Sequence, residues 1–253
     1  IGINFNTNNA CNWGCVYCQV PDLSVGAAPD LDFDLLAAEL HEFLQDVLHG
    51  DFYDRFEVEA DKRVIKDIAL SGNGEPTSVQ EFSRAIALII EIVEAAKIPQ
   101  PFNYVLITNG SLIHKPDVQA GLRLLNQYAG QVWYKIDSAT EQGRAVINHT
   151  VISDKRQQDN LQLCAILCAT WVQSCVFHYA LSPEFGLLSE QEQAAYITLL
   201  SSSKDNLQGV MLYSVARPSL QPEASAISSA TEAQLQLLAE NIRELGLVVK
   251  VSV

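Results

Sequence analysis

Positive charge is scarce in this chain. Sixteen Lys and Arg residues stand against thirty Asp and Glu, a formal net charge of −14. Binding to a polyanion rests on neutralising phosphates, so the average field opposes tRNA or DNA, and only a local basic patch would reverse that. Methionine is rarer still. Met211 stands alone, and the sequence starts at Ile1 inside an apolar stretch, so a trimmed N-terminus is expected. Nothing near that start resembles a secretory signal. Long apolar runs are also missing. The longest, Ala85 to Val93, is interrupted by Glu91 and is too short to cross a bilayer, so no membrane segment is expected. The six cysteines lack the paired spacing of a disulfide framework, which suits a reducing compartment, and a cytoplasmic location is expected. The sequon Asn148-His149-Thr150 is then an accident of composition.

What is present begins with three thiols in one short loop, Cys11-Asn12-Trp13-Gly14-Cys15-Val16-Tyr17-Cys18, at C-x3-C-x2-C spacing. Such a loop is a metal or iron–sulfur site before it is anything else. A [4Fe–4S] cube held by three cysteines keeps one iron without a protein ligand, open to a substrate or cofactor. Three other readings share the spacing. Zinc could sit on three Cys and a water. Cys15 and Cys18 could be a redox dithiol, leaving Cys11 unexplained. A disulfide is the third.

Hydrophobic residues make up 48 % of the chain, enough for the core of one large α/β domain spanning 1–253. Short apolar runs alternate with amphipathic helices. The expected strands are Gly2–Asn6, Val64–Ser71, Phe102–Thr108, Val132–Asp137, Cys175–Leu181, Gly209–Ala216 and Leu247–Val253. The expected helices lie at 32–49, from a Ser78/Glu81 capping box to Pro99, from Pro116, near 155–170, from a Ser189/Glu192 box, and from a Thr231/Gln234 box to Gly246. Residues 51–63 read as a charged surface excursion. Alternating strands and helices imply a parallel sheet, either doubly wound or a whole or partial barrel. Each expected strand end carries unusual chemistry: the cysteine loop, Gly72-Asn73-Gly74-Glu75-Pro76, Thr108-Asn109-Gly110, Asp137-Ser138, Ser182-Pro183 and Arg217-Pro218. A ring of functional groups at every C-terminal strand end is the barrel arrangement.

On these residues the chain resembles the radical SAM (S-adenosylmethionine) enzymes. Cys11, Cys15 and Cys18 match the family's C-x3-C-x-aromatic-C loop, with Tyr17 in the aromatic place, and Gly74-Glu75-Pro76 matches its G-G-E-P motif after the second strand. Asn73 stands where the first glycine of that motif is usual. Asn tolerates positive φ better than other non-glycine residues, so the turn is expected to survive.

The resemblance implies a partial (β/α)6 barrel of parallel strands. It also implies a [4Fe–4S] cluster on the three cysteines and SAM chelated at the open iron. An external one-electron reductant of flavodoxin or ferredoxin type would feed reductive cleavage to a 5′-deoxyadenosyl radical. That radical would take hydrogen from a substrate the sequence does not name. Tyr17 would pack near the adenine, or be a plain core aromatic. Gly74 would allow close backbone approach, and Glu75 would sit where the motif meets the SAM amino group. Asp137 would reach the SAM ribose or carboxylate, or form an ion pair with Lys135. Asn109 would contact SAM, or only make an Asn-Gly turn. Arg217 would clamp a carboxylate of SAM or substrate, or be a surface arginine. Cys164 and Cys168 are expected on one face of a helix, with Cys175 at the start of a strand, the end away from the site. They could hold an auxiliary cluster, though small buried residues is the commoner use. Other readings stay open: a non-catalytic iron–sulfur or zinc scaffold with a degenerate SAM site, an activase, or a nucleoside- or peptide-modifying enzyme.

Overall fold

In the central strands of this sheet the even-numbered residues are mostly buried and many of their odd-numbered neighbours are not. Ile68, Leu70, Tyr104, Leu106, Val132, Tyr134, Val172, Val210 and Leu212 are all buried. Their odd-numbered neighbours Gln131, Trp133, Lys135, Trp171, Gln173, Met211 and Tyr213 are only partly so. Period-two alternation of that kind places one face under helices and leaves the other lining a space. The computed structural model describes residues 1–99 and 101–252.

Seven strands form the sheet: β1 Gly2–Ile3, β2 Asp67–Leu70, β3 Asn103–Thr108, β4 Gln131–Lys135, β5 Ala169–Cys175, β6 Leu207–Tyr213 and β7 Val249–Ser252. They pair in chain order, and every pairing is parallel. A doubly wound sheet would reverse its order at a switch point. This one never does, so it is a partial barrel with β1 and β7 as its edges. The helices are α1 Phe33–His49, α2 Phe82–Ala96, α3 Pro116–Gln127, α4 Glu141–Ile147, α5 Asp154–Leu167, α6 Glu190–Ser201 and α7 Glu232–Arg243. Helix α2 shows why they dock. Phe82, Ala85, Ile86, Ile89, Ile90 and Val93 recur at helical spacing and are all buried on the convex face.

Several expected elements sit elsewhere. The fifth strand runs over 169–175 rather than 175–181. Gln173 and Ser174 hide its apolar pattern, whereas Phe177–Tyr179 forms a separate antiparallel pair with Ile227–Ser229. Cys175 therefore ends the strand instead of starting it. The Ser78/Glu81 box does not form. Glu75 caps a 3₁₀ turn over Pro76–Ser78, and Glu81 precedes α2 at φ 54° with no side-chain cap. The Ser189/Glu192 box is absent too, because the buried Glu192 carboxylate accepts from Ser138 Oγ, Ala139 N–H and Thr140 Oγ1. The Thr231/Gln234 box forms. Helix α4 was not expected, and the excursion at 51–63 carries a short helix over Phe52–Arg55 and a 3₁₀ turn over Ala60–Lys62. Cys168 is the extended residue that ends α5, so it does not share a helix face with Cys164. The last strand is expected to reach Val253, which lies outside the described residues.

Candidate functional site

The C-terminal ends of the strands open into one cavity of about 840 Å³. Cys11, Cys15 and Cys18 line it, together with Gly72, Asn73 and Gly74 after β2, Ile107 and Asn109 from β3 and its end, Lys135 from β4, Gln173 and Cys175 from β5, and Tyr213 and Arg217 from β6 and beyond. The parallel register explains the company. Lys135 is level with Gln173, and Cys175 with Tyr213, so residues tens of positions apart share one layer.

The thiol loop is held from two sides. Gly14 and Val16 donate their N–H groups to the carbonyls of Asn148 and Ile147, at 3.0 and 2.9 Å. On the other side the Cys18 carbonyl accepts from Leu220 N–H at 2.9 Å and from Ser219 Oγ at 3.1 Å, and Gln221 Nε2 donates to the carbonyls of Cys18 and Val20. Two sulfurs also receive donors: Trp13 N–H approaches Cys11 Sγ at 3.5 Å, and Asn148 Nδ2 approaches Cys15 Sγ at 3.2 Å. Burial pushes the Cys11 thiol up to about 11, with Glu75 and Cys18 adding to it. Burial, then the Asp137 carboxylate, pushes Cys15 up to about 12.

These residues fit an iron–sulfur cluster. All three thiols are free of disulfides and line one cavity. Among the described residues no three His, Cys, Asp or Glu side chains converge on a single ion. A cube asks something different, since each thiol takes a separate iron. The second loop is built to lie against the first. A Cβ on Gly74 would stand 2.1 Å from the Ala10 carbonyl oxygen, so only glycine lets the two loops meet.

The Glu75 carboxylate is spent inside the protein. It is 2 % exposed; Oε1 accepts from Thr77 N–H (3.0 Å), Thr77 Oγ1 (2.6 Å) and Thr108 Oγ1 (2.6 Å), and Oε2 from Asn109 N–H (2.7 Å). Burial raises its pKa in spite of those donors. The side chain ties the end of β2 to the end of β3, which leaves the preceding backbone to face the cavity. Asn73 does not take the positive φ expected of it. Gly72 does, at 147°, and the Asn73 side chain donates to Asn9 Oδ1 at 2.6 Å. Asn109 makes the Asn-Gly turn, its Oδ1 accepting from Ser111 N–H and Oγ. Its Nδ2 also reaches Asn12 Oδ1 in the thiol loop at 2.8 Å.

Asp137 stands behind the cavity wall, 1 % exposed. Its Oδ2 accepts from Tyr17 OH at 2.5 Å and Asn148 Nδ2 at 3.2 Å, its Oδ1 from Cys175 N–H at 3.0 Å, and Lys135 Nζ lies 3.8 Å from Oδ1. The ion pair with Lys135 is thus the arrangement found, and the cavity receives the cation instead. Lys135 Nζ donates to Tyr213 OH at 2.7 Å. Burial would lower the Lys135 pKa, but Asp137 and Tyr213 more than offset it, so the ammonium stays charged. Tyr17 leans on Phe177 at 5.3 Å between ring centroids, with the Lys135 ammonium 5.2 Å from its ring. Arg217 is exposed at the rim, its carbonyl bonded by Gln19 Nε2.

The remaining cysteines separate. Cys164 and Cys168 lie in the convex-side core, against Thr170 Oγ1 and the Gly130 carbonyl. Cys175 lines the cavity, where burial and then Asp137 push its thiol up to about 12. Lys135, Gln173, Cys175, Tyr213 and Asn148 all bear on the site, and motif spacing marked none of them. The signal that could have found the strand residues is the set of hydrogen-bonding or thiol side chains, Lys135, Gln173, Cys175 and Tyr213, at odd-numbered positions near the ends of β4, β5 and β6.

No protein-family model matches the chain. A stretch of 125 residues is 27 % identical to the GTPase Obg of Brachyspira hyodysenteriae, covering 48 % of this chain and 15 % of that protein. The sequence has no G-x4-G-K-[ST] loop, so a phosphate-cradling motif of that kind is not what the two share. Solved structures are similar over nearly the whole chain. A structure of TYW1 with a lysine–pyruvate adduct bound gives a TM-score of 0.61 at 13 % identity, over 92 % of this chain and 70 % of that one. A radical SAM methyltransferase from Sphaerobacter thermophilus gives 0.61 at 11 %, over 99 % of this chain and 64 % of that one. The structure of anSMEcpe with bound AdoMet and a peptide gives 0.55 at 11 %, over 96 % and 58 %. At such identities the likeness is one of fold.

Proposed function

We propose that this chain, which has the fold of the radical SAM enzymes, is itself an enzyme of that kind: a single core domain with a [4Fe–4S] cluster on Cys11, Cys15 and Cys18 and SAM beside it. The observation that supports this best is geometric. The thiol loop and the Gly72–Gly74 turn line the same cavity, at the C-terminal ends of a parallel sheet in chain order. With a cluster held by Cys11, Cys15 and Cys18 and SAM beside it, the chemistry supplied would be one-electron reductive cleavage of SAM and abstraction of a hydrogen atom from substrate.

The chain's own residues hold and orient. The Gly72–Gly74 backbone, which lines the cavity, would offer its carbonyls to the SAM ammonium, while the Glu75 side chain keeps that turn in place from behind. Lys135 and Arg217 are the cavity's two cations. Lys135 is held by Asp137 and suits the SAM carboxylate; Arg217 at the rim suits an anionic group on the substrate. Tyr17, fixed through its hydroxyl to Asp137, offers a ring face to the adenine. An external one-electron carrier of flavodoxin or ferredoxin type reduces the site.

Anaerobic reconstitution with iron and sulfide, followed by assay of 5′-deoxyadenosine with dithionite, tests this reading. About four irons per chain and SAM-dependent product are expected. Cys11→Ala, Cys15→Ala and Cys18→Ala should each lose the iron, while Cys164→Ala and Cys168→Ala keep it. Retention of zinc alone, or a Cys15–Cys18 dithiol as the loop's one chemistry, would overturn it.

A further inference from the structure

The Asn-x-Thr triplet at 148–150 serves the interior. Asn148 is 1 % exposed, so it offers no acceptor to a glycosylating enzyme. Its carbonyl receives Gly14 N–H from the thiol loop, and its carboxamide nitrogen lies 3.2 Å from both Cys15 Sγ and Asp137 Oδ2. Those two contacts determine which way the amide is turned. Reversed, its oxygen would face the Asp137 carboxylate. As placed, Oδ1 has no partner among the described residues. An unpartnered buried acceptor is unfavourable, and leucine would fill a similar volume without one. The side chain instead gives one proton to a sulfur and one to a carboxylate that would otherwise repel each other.

We propose that Asn148 is a positioning residue that sets the reduction potential of the cluster, by donating a hydrogen bond to the sulfur of Cys15. The inference rests on the reading that the thiol loop holds a cluster. Reduction brings one electron from the external carrier onto the cluster and its thiolate ligands. An N–H aimed at one of those sulfurs stabilises the reduced state more than the oxidised one and raises the potential. The electron is then easier to take up and carries less driving force onward. Asp137 pulls the other way, and Asn148 stands between the two.

The test is a redox titration of the reconstituted protein, followed by EPR, in wild type and Asn148→Leu. Equal iron content and a lower midpoint in the variant are expected, so that its reduced fraction falls several-fold at the wild-type midpoint. Asn148→Asp, which loses the donors and adds a charge, should shift further the same way. A second measurement needs no substitution: pulsed EPR on reduced wild type carrying ¹⁵N only at asparagine side-chain amides. A weakly coupled ¹⁵N is expected there, and it should vanish in Asn148→Leu. An unchanged midpoint at full iron content, or no ¹⁵N coupling in wild type, overturns the proposal. If Asn148→Leu takes up no iron, the wild-type ¹⁵N result decides. If wild type itself takes up none, the cluster reading falls first and this proposal falls with it.

Discussion

Glu75 accepts from four donors, all of them buried with it or beside it. Glu75→Ala strands those donors, and a loss of about 3 kcal/mol in unfolding free energy is expected from unpaired buried groups. The urea midpoint of the apoprotein checks it. An unchanged midpoint with SAM affinity lost would instead place the carboxylate on the ligand. Asp137 is expected to act through Lys135. Asp137→Asn and Lys135→Ala should each slow SAM cleavage in the absence of substrate, and the double variant should lose little more than the worse single one. Additive losses would mean that Asp137 meets the cofactor by a route of its own. The thiols and the Gly74-Glu75-Pro76 turn were legible because spacing within one loop survives in a linear sequence. Lys135 is legible as the ion-pair partner of Asp137, two residues along the chain, whereas the places of Cys175 and Asn148 are not. Cys175 meets Asp137 across 38 positions and Asn148 meets Cys15 across 133, and no local pattern records either distance.

Elements are legible in the sequence where one physical signal dominates. Helix α3 opens on Pro116 as expected; α2 carries the expected continuous apolar stripe, although it opens at Phe82 and not from a Ser78 box. Strand β5 is displaced because Gln173 and Ser174 interrupt its apolar pattern, while the apolar run just after it imitates a strand. The capping boxes divide by local geometry and competing partners: Glu81 sits at positive φ, Glu192 is taken by Ser138, Ala139 and Thr140, and Gln234 closes its box. Thr231 caps α7 with its hydroxyl, so Thr231→Ala should cost about 1 kcal/mol. Ser189 makes no cap bond, and Ser189→Ala should change the denaturation midpoint by much less. Gly209 in β6 is stricter. It sits at φ 149°, where a Cβ would lie 2.4 Å from the Val248 carbonyl oxygen and 2.7 Å from the Trp171 ring. Gly209→Ala should therefore lower the thermal midpoint more than either cap change, by loosening the β6–β7 pairing.

At the scale of the whole molecule the charge of −14 acts on encounters. The proposed electron carrier, where it is acidic, would approach against that field. Its rate of reduction of this protein should rise as salt is added up to physiological strength, since screening weakens repulsion between exposed charges. Stopped-flow reduction at several salt concentrations reads this directly, and a falling rate would reveal a basic docking patch that outweighs the average. The double hold on the thiol loop also carries a consequence in time. The three thiols lie near the beginning of this sequence, but one of their loop's clasps is made by Ser219, Leu220 and Gln221. A ribosome delivers the thiols some two hundred residues before the clasp that encloses them. Throughout that interval the loop is exposed to oxidants and open to metal donors, and the finished pocket is a late event of biosynthesis.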